Sequence, residues 1–81
     1  MKTWFGSYYT SSLDEPVEAT VLAIENSITI GFRGDDGITK RARWEMQDIV
    51  AVFENSIQAT RISHSKEPGT RLEINGRQAL N

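Results

Sequence analysis

Along most of this chain apolar and polar residues alternate in short stretches, and the stretches are separated by turn-forming residues. Strand-type segments fall near 3–9, 17–25, 28–33, 38–44, 48–53, 57–64 and 71–75. Between them stand Glu25-Asn26-Ser27, Gly34-Asp35-Asp36-Gly37, Glu54-Asn55-Ser56, Lys66-Glu67-Pro68-Gly69 and Asn75-Gly76. Short β-rich segments punctuated at such intervals predict an all-β fold. About seven short antiparallel strands would form a bent sheet or a partly open barrel, as a single domain over 1–81. No linker or low-complexity tract divides the chain.

Turn lengths and apolar positions suggest a register for the central strands. A two-residue loop at Asn26-Ser27 sets Val21 opposite Phe32 and Ala23 opposite Ile30. A three-residue loop at Gly34-Asp35-Asp36 then sets Phe32 opposite Ile38, Ile30 opposite Lys40 and Ile28 opposite Ala42. All the apolar members share one face, and a one-residue slip would scatter them. Lys40 is the exception and is expected at a rim, or with its stem buried and its charge in water.

Residues 46–53 carry two signals. Met46, Ile49, Val50 and Phe53 have the spacing of an amphipathic helix. The β-branched run within Ile49-Val50-Ala51-Val52-Phe53, followed by an Asn-Ser turn, favours a strand, and the strand is the reading adopted. At the other end, Gly76-Arg77-Gln78-Ala79-Leu80 turns to good helix formers and predicts a frayed or truncated C-terminal helix.

Composition reinforces the sheet. Ile, Val, Thr and the aromatic residues make up 26 of 81 positions, against four Leu. The absence of cysteine excludes disulfides, thiol catalysis and Cys-ligated zinc. A net charge of −2 gives no bulk attraction to nucleic acid, so none is expected as a partner. No apolar run reaches the ~18 residues of a membrane-spanning helix. The N-terminus also lacks the apolar core of a signal peptide. The expected location is the cytoplasm, with the cytoplasmic face of a membrane as one option.

Candidate chemistry is sparse. The single histidine, His64, could act as a general base beside a carboxylate. The competing reading is an exposed strand-end residue, whose replacement by alanine would cost within about 0.5 kcal/mol. A zinc site around one imidazole would need carboxylates for its other ligands. No Gly-x-Ser-x-Gly elbow or Ser-x-x-Lys nucleophile occurs. Asp35-Asp36 lacks the spaced ligands and final Glu of a calcium loop and suits a hairpin tip. Arg33-Gly34-Asp35 spells an integrin-binding tripeptide, but nothing else in the chain looks extracellular. The expectation is a domain with no catalytic residues, no cofactor and no metal.

One surface stands out. In the derived register Arg33, Arg41 and Arg43 point away from the core face, and so do Leu22 and Ile24. An apolar pair rimmed by three arginines is a candidate contact surface for a protein or an anionic membrane. The alternative is that Leu22 and Ile24 are covered and the arginines pair with Glu18 or Asp36. Trp4, Phe5, Tyr8 and Tyr9 could stack bases, but core packing and strand formation account for them. Trp44 and Phe32 are expected in the core.

Several short runs resemble a known family. They are Tyr8-Tyr9 with Ser11-Ser12, Glu15-Pro16-Val17, Arg43-Trp44 ahead of Ile49, Ala59-Thr60-Arg61-Ile62, and Pro68-Gly69-Thr70-Arg71-Leu72-Glu73-Ile74 with Gln78-Ala79-Leu80 behind. Together they resemble the β-rich N-terminal domain of bacterial membrane-anchored zinc metallopeptidases of the His-Glu-x-x-His type. Thr10-Ser11 stands where that domain usually has Asp-Gly. The His-Glu-x-x-His helix is absent here, so the resemblance implies an accessory, non-catalytic interaction domain. It also implies a barrel similar to the pleckstrin-homology class. The partner would be another protein or the remainder of a longer chain. A free-standing lipid-headgroup binder and a small enzyme using His64 are the alternatives from other classes.

Overall fold

The computed structural model describes residues 2–11 and 15–77. It is all-β, a single sheet curled into a half-barrel. The strands are β1 (Lys2–Tyr9), β2 (Val17–Ile24), β3 (Ser27–Arg33), β4 (Thr39–Glu45), β5 (Ile49–Glu54), β6 (Ala59–His64) and β7 (Arg71–Asn75). They lie in the order β4-β3-β2-β1-β7-β6-β5, and every neighbouring pair is antiparallel. Among the described residues no helix is long and apolar enough to cross a membrane.

The curl originates in β1. Lys2–Phe5 pair with β2 alone, Gly6–Tyr8 pair with β2 on one side and β7 on the other, and Tyr9 pairs with β7 alone. This strand therefore joins the β2–β4 half of the sheet to the β5–β7 half. The enclosed face carries Tyr8, Val21, Ile28, Ile30, Trp44, Ile62, Leu72 and Ile74, all buried. Strict alternation puts them there: in β2, Val17, Ala19, Val21 and Ala23 face inward while Glu18, Thr20, Leu22 and Ile24 face out. Each fully buried aliphatic side chain in this set contributes about 1.5–3 kcal/mol relative to exposure. Phe32 is partly buried and packs on the same cluster, its ring 4.6 Å from that of Tyr8. Burial, with the Glu67 carboxylate adding to it, raises the pKa of the Tyr8 hydroxyl.

Both central registers differ from the sequence-derived ones by two residues. Val21 pairs with Ile30 and Ala23 with Ile28, because the β2–β3 loop is Glu25-Asn26 rather than Asn26-Ser27. Glu25 takes the left-handed turn conformation (φ 54°), and Ser27 enters the ladder opposite Ile24. Across the next turn Ile28 pairs with Trp44, Ile30 with Ala42 and Phe32 with Lys40. That loop has five residues, Gly34 to Ile38, closed by the Gly34 N–H donating to the Ile38 carbonyl at 3.0 Å. Asp36 accepts the Ile38 N–H at 3.0 Å and pairs with Lys40 at 3.7 Å, so the acidic tip is used in turn formation. Lys40 lies exposed at the rim, as the pattern required.

The ambiguous segment splits. Met46–Asp48 form one 3-10 turn and Ile49–Glu54 a strand. Met46 and Ile49 both pack against the core, which is why their spacing looks helical. At the C-terminus Gly76 forms a bridge with Ala59 and donates its N–H to the Gln58 carbonyl at 2.8 Å. The remainder of the expected helix, from Gln78 onward, lies outside the described residues.

Candidate functional site

Two candidates emerged from the sequence, His64 and the basic face, and the structure treats them differently. His64 closes β6 opposite Ile49 and points inward, with its side chain only 7% exposed. The expectation of an exposed histidine is therefore corrected. Parity decides it: Thr60, Ile62 and His64 alternate on the inner face of one strand. Its ring lies 5.2 Å from that of Trp44, and Nδ1 accepts the Lys66 N–H at 3.1 Å. The proton of the neutral ring then sits on Nε2, which faces Glu67 Oε2 at 3.9 Å. In this tautomer neither nitrogen offers a free lone pair. Among the described residues no three His, Asp or Glu side chains gather as a metal site.

The inward position changes the expected cost of removing His64. His64→Ala deletes a packed ring and leaves the Lys66 N–H without its acceptor. We expect a loss of about 1–2 kcal/mol, above the range for exposed positions. Urea denaturation of the variant checks this, and a loss below about 0.5 kcal/mol would show that the ring contributes little.

The outer face divides into two unlike halves. Over β5, β6 and β7 the charges are matched around Glu73. Its carboxylate accepts the Tyr9 hydroxyl at 2.9 Å, pairs with Arg61 at 3.1 Å and lies 3.2 Å from Arg71 Nε. Arg61 also reaches Glu54 at 3.8 Å, and the Arg71 guanidinium stacks on Tyr9.

Over β1 to β4 the arrangement is open. One row across the four strands reads Phe5, Thr20, Gly31, Arg41, and the next reads Thr3, Leu22, Thr29, Arg43. With strands ~4.8 Å apart, each row spans about 14–15 Å. A groove of about 1080 Å³ runs over this surface, with Phe5, Leu22, Gly31, Arg33 and Arg41 among its lining residues. Gly31 forms the floor, since a Cβ there would meet nothing nearer than the Thr20 carbonyl oxygen at 3.9 Å.

Of the five residues the sequence singled out, Leu22, Arg33 and Arg41 come together along this groove. Ile24 lies at the end of β2, 43% exposed, beside the β2–β3 loop. Arg43 sits one row away from Arg41 and pairs with Glu45 at 3.5 Å. The partners anticipated for the arginines, Glu18 and Asp36, are not theirs: Asp36 pairs with Lys40, and among the described residues Arg33 and Arg41 form no ion pair. Among the described residues no second sheet covers Leu22 or Ile24.

The sequence reading missed Phe5 and Gly31. Phe5 is 72% exposed. The signal was available, since Trp4, Gly6 and Tyr8 turn inward and parity sends Phe5 out.

Comparison with family models, curated proteins and solved structures gives no match for this chain.

Proposed function

We propose that this domain is a non-catalytic interaction module that holds an extended, acidic segment of a protein partner in the groove over Gly31. One observation carries the reading. Arg61 and Arg71 on one half of the outer face are matched by carboxylates, whereas Arg33 and Arg41 on the other half face solvent without an ion pair among the described residues. They stand beside an exposed aromatic ring and a half-buried leucine. Unmatched cations with an apolar floor and flank complement a chain that offers both carboxylates and apolar side chains.

A concave groove suits an extended chain better than the broad plane of a bilayer. Glu18 on its lining also weakens the attraction to an anionic lipid surface. Under the resemblance drawn from the sequence, the acidic segment would belong to the remainder of a longer membrane-associated, peptidase-like chain, and this domain would be its accessory part.

The test uses a decaglutamate peptide and, separately, phosphatidylserine vesicles. The peptide is expected to bind at low salt and to be released as salt rises, since exposed charges are screened over about 8–10 Å at physiological ionic strength. Reversing Arg33, Arg41 and Arg43 to Glu should weaken binding at least about tenfold, a change of about 1.4 kcal/mol. The melting temperature should barely move, because exposed ion pairs such as Arg43–Glu45 are worth about 0–1 kcal/mol. Gly31→Val fills the groove floor without changing charge and should also reduce binding while the fold persists. Undiminished binding by the folded triple variant would move the contact elsewhere. Binding to vesicles but not to peptide would replace the protein partner with a membrane.

A further inference from the structure

The open sheet has two edges, β4 and β5, and they differ in character. Edge β4 carries Lys40, Arg41, Arg43 and Glu45 within seven residues, a charged edge of the kind that discourages pairing with another chain. Edge β5 reads Ile49-Val50-Ala51-Val52-Phe53, with no charge, proline or glycine to interrupt it. Among the described residues its ladder runs to β6 only, so the other row of peptide groups is open. Val50 and Val52 are 58% and 51% exposed, and Ala51 between them is exposed as well.

We infer that two copies of this chain join antiparallel along β5, about a two-fold axis through Ala51. The strand's own sequence selects this occupant. A two-fold contact must be self-complementary, each residue meeting its image. Centred on Ala51, Val50 of one copy meets Val52 of the other, and Ile49 meets Phe53. These are aliphatic and aromatic–aliphatic pairs of the kind that stabilise antiparallel ladders. The flanking pair is Asp48 against Glu54, two acids, but each is countered within its own copy: Asp48 by Lys66 at 3.4 Å and Glu54 by Arg61 at 3.8 Å. A two-residue slip in either direction sets Glu54 or Asp48 against a valine, so the Ala51-centred register is the one that pairs every apolar residue with another.

The same geometry limits growth. Pairing consumes both β5 edges and leaves two β4 edges, whose charges oppose further addition, so the assembly closes at two copies. A contact made by one six-residue strand falls at the small end of specific interfaces, below about 1,200 Å² in total. Association is therefore weak and concentration-dependent, and it uses a surface separate from the groove.

Sedimentation velocity over a concentration series reaching the millimolar range tests this. The wild-type chain should pass from monomer to dimer, and no larger species should form. Val52→Lys places a charge at an exposed edge position, which the fold tolerates. It should remain monomeric throughout while keeping its circular dichroism spectrum. As an independent reading, Ala51→Cys introduces the sole cysteine of the chain on the two-fold axis. Opposed residues of an antiparallel pair lie ~4.5–5.5 Å apart, within disulfide reach. Mild oxidation should then yield a cross-linked dimer much faster than with Thr39→Cys on edge β4. A wild-type chain that stays monomeric at every concentration overturns the inference. So does a dimer that survives Val52→Lys, or equal cross-linking rates at the two edges.

Discussion

Trp44→Ala is expected to lower the stability of the domain by about 3–5 kcal/mol, the range for truncating a buried aromatic side chain. Domains of this size are stable by roughly 4–12 kcal/mol in total, so the variant should be near the point of unfolding. Trp44 belongs to edge strand β4, yet its ring lies 5.2 Å from His64 on β6 and 6.1 Å from Tyr8 on β1. It thus ties together strands that share no ladder, across the mouth of the half-barrel. At 1% exposure its removal leaves a void in the core. One feature moderates the loss: among the described residues the buried indole Nε1 has no hydrogen-bond partner, and an unpaired buried donor costs about 1–3 kcal/mol. Trp44→Phe removes that donor and keeps most of the apolar contact, so it should retain most of the stability. Urea denaturation of the two variants checks both statements. A loss below about 1 kcal/mol for Trp44→Ala would show that the two halves of the sheet hold together without it.

The faces of the strands were legible in the sequence, and their exact partners were not. Parity assigns Val21, Ile28, Ile30 and Phe32 inward because a strand repeats every two residues. Moving a loop by one residue, from Asn26-Ser27 to Glu25-Asn26, shifts each partner by two positions and leaves every face unchanged. The apolar pattern is blind to such a shift. The same blindness explains the ion pairs. Arg33, Arg41 and Arg43 were correctly placed on the outer face, but their charged neighbours depend on register and turn geometry. Asp36 pairs with Lys40 once the β3–β4 loop has five residues, and Arg43 finds Glu45 two positions along its own strand. Parity was also sufficient to turn His64 inward and Phe5 outward. Residue type alone points the other way, a histidine to the surface and an aromatic ring to the core, and here parity prevails over it. The groove itself depends on the curl of the sheet, which no local pattern encodes.

Gly6→Ala should be strongly destabilising for a change of a single methyl group. Gly6 is where β1 first pairs with both of its neighbours, opposite Ala19 of β2 and Ile74 of β7. The two halves of the sheet meet at this corner, and β7 crosses so near that an added Cβ would fall on the carbonyl oxygen of Glu73. The Glu73 carbonyl carbon at 3.0 Å and the Ile74 Cα at 3.3 Å would be crowded as well. All three are backbone atoms in a ladder, so no side-chain rotation relieves the clash. The main chain of β1 or β7 must move, and Tyr8, Leu72 and Ile74 of the core move with it. Overpacking of this kind typically costs 1–3 kcal/mol, and with only backbone to give way we expect about 3 kcal/mol or more. Gly31→Ala is the matched control, a strand glycine whose added methyl meets only the Thr20 carbonyl oxygen, at an unstrained 3.9 Å. It should be neutral or slightly stabilising, since glycine within a strand is a weak choice. Denaturation midpoints measured side by side separate the two sites. Equal midpoints for Gly6→Ala and Gly31→Ala would show that β1 can draw away from β7 at little cost, and that the corner does not depend on glycine.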